Sequence, residues 1–314
     1  MTNSALVSVI IPCFNQGRFL AEAIESVLNQ SYRRRETIVV DDGSTDDSWR
    51  IAKKFSRVEL IRQPNSGLGA ARNAGFRASG GDYLVFLDAD DRLLSDALEI
   101  GINRLDAHPE CAFTYGRYGL ITEAGAPMPS AQRECGQGEP YLRLLSSNYI
   151  GMHATVMYRR AIFEALGGFN PSLAACEDYD MFLRITRNHP VYRHGEKVAE
   201  YRQHDSNMSR NVDLMLKHSI MVLRSQWKYA RGNQRAREAY RAGLANWRNC
   251  YGKKLVDSVR SRFRAGQWRR AIEGAVVLAK YYPGELAHKA GRMLVRMSQS
   301  SRLFSITLSR PRER

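Results

Sequence analysis

The chain has 314 residues, 44% hydrophobic and 10% aromatic, which excludes a disordered polymer and allows two domains, or one with an appendage. Its net charge of +15 is unevenly held: residues 210–314 carry 24 Lys/Arg against 6 Asp/Glu, and residues 1–209 carry 23 against 26, so the two parts need separate accounts. Five cysteines (Cys13, Cys111, Cys135, Cys176, Cys250) without a Cys-x-x-Cys pair suggest neither a zinc site nor a disulfide framework, and no apolar stretch nears the ~20 residues of a membrane span.

A reducing, cytoplasmic compartment is expected, because strand-like sequence begins by Val7 with no leader-like segment before it. Val7–Pro12, Glu36–Val40 and Val58–Arg62 read as strands. Between the first two, Phe19–Asn29 places Leu20, Ala23, Ile24, Val27 and Leu28 on one helical face. Asp46 or Asp47 can cap a helix running through Trp49, Ile51, Ala52 and Phe55. A third helix, 70–78, leads to a buried strand at 83–87. Strand and helix thus alternate four times in about 90 residues, the pattern of a parallel, right-handed α/β sheet. Strands are expected again at 112–116, 154–158 and 198–201, an exposed loop at 122–140, and helices at 160–166 and 179–188. Beyond Asn211 the pattern is helical: 212–230, 234–264 with breaks, 267–281 and 285–299, with a frayed tail beyond Ser300.

The residues with chemistry to offer fall at strand ends. The fourth strand runs out into Asp88-Ala89-Asp90-Asp91, and ligands of open α/β sheets bind beyond such ends. Asp88 and Asp90 can both reach one hard cation while Asp91 turns into the next helix; an exposed acidic turn with Asp91 as a cap is the plainer alternative. The first strand ends Pro12-Cys13-Phe14-Asn15 and the second Asp41-Asp42-Gly43-Ser44-Thr45-Asp46. Phe14 offers a face for a base ring and a carboxylate can accept from its N–H, although Asp, Gly and Ser also favour plain turns. Gly67-Leu68-Gly69 followed by Gly75 lacks dinucleotide-binding spacing, since five residues rather than two separate the last glycines. Small residues there let a helix approach the sheet or a nucleotide, with Arg72 near a diphosphate. Glu177-Asp178-Tyr179-Asp180 opens a helix, as a cap or as a general base. His204, in a polar loop, reads by itself as a surface residue.

Val-Ser-Val-Ile-Ile-Pro-Cys-Phe-Asn, Val-Val-Asp-Asp-Gly-Ser-Thr-Asp, Asn-x-Gly-x-x-x-Ala-Arg-Asn-x-Gly, Phe-Leu-Asp-Ala-Asp-Asp, Gly-Gly-Phe, Glu-Asp-Tyr-Asp and Tyr-Arg-x-His follow one another over residues 6–210. In that order they resemble the family 2 glycosyltransferases of GT-A fold. The resemblance implies an α/β, mostly parallel sheet with flanking helices over 1–210, divided into a nucleotide-binding part (about 1–115) and an acceptor part (about 116–210). A basic helical region, 211–314, follows. It also implies roles. Pro12, Phe14 and Asp41 or Asp42 would line the nucleoside pocket, with Arg72 near the phosphates. Asn15, Gly67, Asp88 and Glu177 would complete the substrate-binding set. Asp88 and Asp90 would be the Asp-x-Asp pair holding Mg2+ or Mn2+, His204 a further metal or phosphate ligand, and Asp178 the catalytic base. The Gln-x-x-Arg-Trp motif of processive synthases is absent, which favours transfer of one sugar, and Cys176 stands where a small residue such as Gly is common.

The expected activity is inverting, metal-dependent transfer from a nucleotide-sugar, by family habit UDP-linked, to a glycan or lipid-linked acceptor in envelope or extracellular glycan synthesis. A catalytically inactive nucleotide-sugar-binding protein of the same fold is the alternative. For the basic third, contact with an anionic membrane surface on the inner face of the cell membrane is expected. Nucleic acid is not expected, because Trp227, Trp247, Trp268, Tyr281 and Tyr282 sit at spacings that suit helix packing. Oligomerisation is left open.

Overall fold

The structure, a computed structural model, describes residues 5–129 and 138–283. The expected helix at 285–299, the tail beyond Ser300, Cys135 and part of the expected loop at 122–140 lie outside the described residues. The N-terminal half alternates β1 (Val7–Cys13), α1 (Gly17–Leu28), β2 (Arg35–Asp41), α2 (Ser48–Ala52), β3 (Glu59–Arg62), α3 (Leu68–Ala78) and β4 (Tyr83–Phe86). A two-residue strand, β5 (Arg92–Leu93), precedes α4 (Ala97–Ala107), β6 (Phe113–Ile121) and β7 (Pro127–Met128). Then come α5 (Pro140–Ser146), β8 (Val156–Arg159), α6 (Arg160–Leu166), α7 (Glu177–Thr186) and β9 (Tyr192–Arg202). Four longer helices follow: α8 (Val212–Ala230), α9 (Gln234–Trp247), α10 (Lys253–Arg264) and α11 (Trp268–Tyr281).

One sheet runs β3-β2-β1-β4-β8-β6-β9-β5, with β7 beside β6. Strands β1 to β4 are mutually parallel, as the alternation predicts. Beyond β4 the sheet is mixed: β8 is antiparallel to both β4 and β6, and β5 to β9, whereas β6 and β9 are parallel. The apolar runs of β1 and β2 are buried on both faces. Ile10, Ile38 and Val40 belong to the core under α3, and Val9, Ile11 and Val39 to the core under α1. Strand β9 is eleven residues long, far beyond the expected 198–201, because β6 and β5 supply it with partners on both edges.

Gly75 sets how closely α3 approaches the sheet, since a Cβ there would press into Ile10 Cγ2, inside any real van der Waals contact. Gly75→Ala must push α3 off β1, and overpacking of this kind costs about 1–3 kcal/mol. A lowered urea midpoint is the expected result; a midpoint equal to that of the parent would contradict the packing described.

The expected division at residue 210 marks a change from sheet to helix and no break in the core. Val222, Leu223 and Ala230 of α8 and Ala236 and Tyr240 of α9 are buried in the same cluster as Phe113, Tyr179 and Phe182. Helices α10 and α11 form a smaller core against Leu216 and Ile220 of α8, through Leu255, Val256, Val259, Leu278, Tyr281 and Tyr282. Among the described residues no helix is long and apolar enough to cross a membrane.

Candidate active site

The parallel strands deliver three acidic or polar ends to one edge. At the first, Phe14 stands 47% exposed beyond β1, a ring face open to a planar ligand. Its neighbour Asn15 takes a left-handed backbone (φ 54°), and its side-chain oxygen accepts from Thr45 N at 2.8 Å and Thr45 Oγ1 at 3.2 Å. Asn15, expected to bind substrate, thus stitches β1 to the loop after β2. Pro12 is buried within β1.

Asp41 and Asp42 are both buried and serve the fold first. Asp41 accepts from Ser44 N at 3.0 Å and pairs with Arg62 at 3.1 Å. Asp42 Oδ1 accepts from Gln63 Nε2 at 2.7 Å and Ser66 N at 2.9 Å, and Oδ2 accepts from Gly67 N at 2.9 Å. These bonds pin the segment entering α3. The turn reading therefore holds for most of their acceptor capacity; among the described residues Asp42 Oδ2 has one hydrogen-bond partner and can take a second. Gly67 (φ 89°) has open space where a Cβ would stand, so the backbone there lies bare beside the site.

Arg72 is 2% exposed, and its guanidinium forks between Asp88, at 2.6 Å, and Glu177. Expected near a diphosphate, it instead ties the end of β4 to the start of α7, and Glu177, expected to touch substrate, is buried against it. Burial alone would lower the proton affinity of Arg72, but the charges of Asp88, Glu177 and Asp178 outweigh it and the guanidinium stays charged. Burial pushes Glu177 up to about 7, Arg72 opposing and Asp178 adding to it. Asp178 is half-buried and accepts from Tyr179 N at 2.7 Å. Its proton affinity is also raised, by burial first, with Arg72 opposing and Asp88 reinforcing. Helix α7 presents this pair because Cys176, at its N-cap, adopts a left-handed φ of 62° that turns the chain into the helix; for a non-glycine residue this stores strain of about 1–3 kcal/mol.

Beyond β4 the expected geometry is corrected in two respects. Asp91 neither turns outward nor caps a helix. It is buried, accepts from Arg202 N at 2.9 Å, and is followed by β5. Burial and then the charges of Asp90 and Asp88 hold its carboxyl well above the usual range. Asp88, expected to share a cation with Asp90, directs Oδ1 to Arg72. The pair that converges is Asp90 with His204: Asp90 Oδ2 lies 2.9 Å from His204 Nε2. His204 is no surface histidine. It is buried against Phe19, with Nδ1 at 2.8 Å from Ser206 Oγ and 3.4 Å from Arg18 Nη2. Nδ1 can donate to or accept from Ser206 Oγ, so a cation held at Nε2 would leave the ring proton on Nδ1, directed to that hydroxyl.

Sequence reasoning passed over Arg202, which holds this pairing in place. It is fully buried, and it donates Nε to Asp90 O at 2.9 Å, Nη1 to Glu123 O at 2.7 Å and Nη2 to Glu22 Oε2 at 2.7 Å. With its backbone N on Asp91, it clamps the acidic turn against β9 and so sets His204, two residues on, opposite Asp90. The Tyr-Arg-x-His spacing was the signal available.

A divalent cation fits this pair. Two neighbouring ligands at about 2.1 Å from an octahedral cation stand about 3 Å apart, the separation found between Asp90 Oδ2 and His204 Nε2; the carboxylate oxygen suits Mg2+ or Mn2+, and the imidazole nitrogen favours Mn2+ of the two. Among the described residues no three His, Cys, Asp or Glu side chains group to hold a metal, so the remaining positions would fall to substrate phosphates and water.

Comparisons with known proteins identify the family. The family model described as "Glycosyl transferase family 2" matches residues 8–167. Chondroitin synthase of Escherichia coli is 33% identical over 230 residues, which cover 69% of this chain but 32% of that protein, so the chain spans about a third of that relative's length. A putative teichuronic acid biosynthesis glycosyltransferase of Bacillus subtilis, TuaG, is 31% identical over 71% of this chain and 90% of its own. Among solved structures, Staphylococcus aureus TarS 1–349 in complex with UDP-GlcNAc superposes with a TM-score of 0.56 at 17% identity, covering 88% of this chain and 92% of that one. A mannosyltransferase of Pyrobaculum calidifontis in complex with GDP-Man and Mn2+ gives 0.56 at 16% identity, covering 88% and 86%. The structural likenesses establish the GT-A fold, and with the match over half of the sequence the conclusion is direct: the chain belongs to glycosyl transferase family 2.

Proposed function

We propose that the protein transfers a single sugar, with inversion, from a UDP-linked donor to an acceptor hydroxyl of an envelope or extracellular glycan, or of its lipid-linked precursor. The observation that carries this reading is the placing of Asp178, a carboxylate of raised proton affinity, at the same sheet edge as the Asp90–His204 pair. Phe14 would stack on the base and the free capacity of Asp42 Oδ2 would accept its ring N–H. Asp90 and His204 would hold Mg2+ or Mn2+, whose charge, when bound, offsets the negative charge growing on the departing diphosphate. Asp178 takes the proton of the acceptor hydroxyl as that oxygen attacks from the face opposite the nucleotide. Arg72 opposes the burial that raises the proton affinity of Asp178 while holding α7 to the end of β4. UDP-GlcNAc in TarS and GDP-Man with Mn2+ in the Pyrobaculum enzyme support nucleotide-sugar donors as a class, and the relatives named for chondroitin and teichuronic acid support a glycan acceptor.

Screening nucleotide-sugars for Mn2+- or Mg2+-dependent hydrolysis tests the proposal and separates it from an inactive binding protein, which would bind donor without turnover. Titration of Mn2+ into protein saturated with UDP, followed by calorimetry, tests the metal site without reference to activity. Asp90→Asn and His204→Ala should each weaken Mn2+ by at least ~10–100-fold, the loss typical even of a residue that only orients a ligand. Parental affinity in either variant would remove that residue from the site.

A further inference from the structure

The helical packing expected of the C-terminal aromatics holds for Tyr281 and Tyr282, which are buried, but fails for Trp268. Trp268, Ile272 and Val276 follow one another at four-residue spacing along α11 and are 62%, 58% and 60% exposed. Ala271, Gly274, Leu278 and Tyr281 form the opposite, buried face, so the exposed stripe is surplus to the packing of the helix. Phe263 of α10, also exposed, extends it: its ring meets that of Trp268 edge-on at 5.5 Å. Exposed cations share these two helices, Lys253, Lys254, Arg260 and Arg264 on α10 and Arg269, Arg270 and Lys280 on α11, with Arg269 and Lys280 next to the stripe by helical spacing. Residues 253–281 hold 8 Lys/Arg against 2 Asp/Glu.

We infer that this face of α10 and α11 docks on an anionic lipid surface, Trp268, Ile272 and Val276 entering the headgroup boundary and the flanking cations meeting the phosphates. An apolar stripe with Trp and aliphatic residues beside Lys and Arg is the pattern of an interfacial helix. The inference narrows the membrane contact expected of residues 211–314 to one face. Charge selects the occupant. A second copy brings a net +15, and residues 284–314 carry 7 Lys/Arg against 2 Asp/Glu, so either would meet like charge at the rim. Nucleic acid would engage the arginines but leave the aliphatic pair Ile272 and Val276 without purpose.

The test uses the full chain and needs neither donor nor metal, so its outcome is separable from that of the catalytic proposal. The full-length protein should co-sediment with phosphatidylcholine vesicles containing phosphatidylglycerol, far less with pure phosphatidylcholine, and progressively less as salt rises. Each basic residue near such a surface contributes about fivefold in partitioning, so Arg264→Glu/Arg269→Glu should weaken binding by roughly 25-fold or more. Ile272→Glu/Val276→Glu, at exposed positions where the fold is indifferent, should abolish it. Trp268 emission should shift to the blue with vesicles and be lost in Trp268→Phe. Any of four results overturns the inference: equal vesicle binding by parent and variants; parental Trp268 emission already blue and shielded from acrylamide before vesicles are added, as covering by residues 284–314 would give; a parental dimer that Ile272→Glu/Val276→Glu dissociates; or binding of RNA but not of vesicles.

Discussion

Asp178→Asn is expected to lower kcat by about 10²–10⁴-fold while leaving the affinity for UDP unchanged, because a positioned base contributes in that range and Asp178 makes no bond that holds the Asp90–His204 pair. The pH dependence has a definite sign. Transfer needs the carboxylate, and burial holds the proton on Asp178 above the ordinary aspartate value of 3.8. The acid limb of the kcat/KM profile should therefore fall at a pH above that of an exposed aspartate. Glu177 and Asp88 interact with Asp178, so the observed midpoint belongs to the set. Turnover by Asp178→Asn within threefold of the parent (roughly, the spread of an assay rather than of a mechanism) would assign the base elsewhere.

Arg72→Leu should be the most destabilising single change at the site. It strips the buried Glu177 and the strand-end Asp88 of their shared cation, and breaking a buried pair from one side costs about 3–5 kcal/mol. The loss should depend on pH. In the parent, Glu177 has a folded-state value raised to about 7 from 4.5, so its contribution is fully present below about 4.5 and lost as pH rises through about 7. Without Arg72 its charge is opposed by nothing, the carboxyl keeps its proton to higher pH, and the deficit relative to the parent should shrink at pH 5 and grow at pH 8. Urea unfolding at the two pH values measures this. A second variant, Arg72→Leu/Glu177→Leu, should recover part of the loss, because well-packed apolar groups can replace a buried ion pair. A deficit below about 1 kcal/mol, the scale of an exposed pair, or one indifferent to pH, would mean that Arg72 and Glu177 do not act as a buried pair.

The first four strands and their helices were legible because periodicity is a local property: the run Val7–Cys13 is apolar but for Ser8 and α1 repeats its apolar face every turn. The mixed second half was not, since β5 is two residues long and β9 owes its length to partners far away in sequence. At the site, residue types were legible and partnerships were not. Asp88 and Asp90, two apart, look alike on paper, yet one faces Arg72 from α3 and the other faces His204, 114 residues on. Likewise Asn15 and Glu177 carry the right chemistry, but tertiary contacts commit them to the scaffold.

The sequence by itself determined the family, the alternation that builds the nucleotide-binding half, and the bringing of carboxylates to one sheet edge, because parallel strands joined by right-handed crossovers must end on the same side. Only the tertiary structure decided which carboxylate is buried, which is paired and which is free to react. Those properties depend on burial and on charges supplied by distant segments, Arg72 from α3 and Arg202 from β9, whose approach to the end of β4 no local pattern encodes.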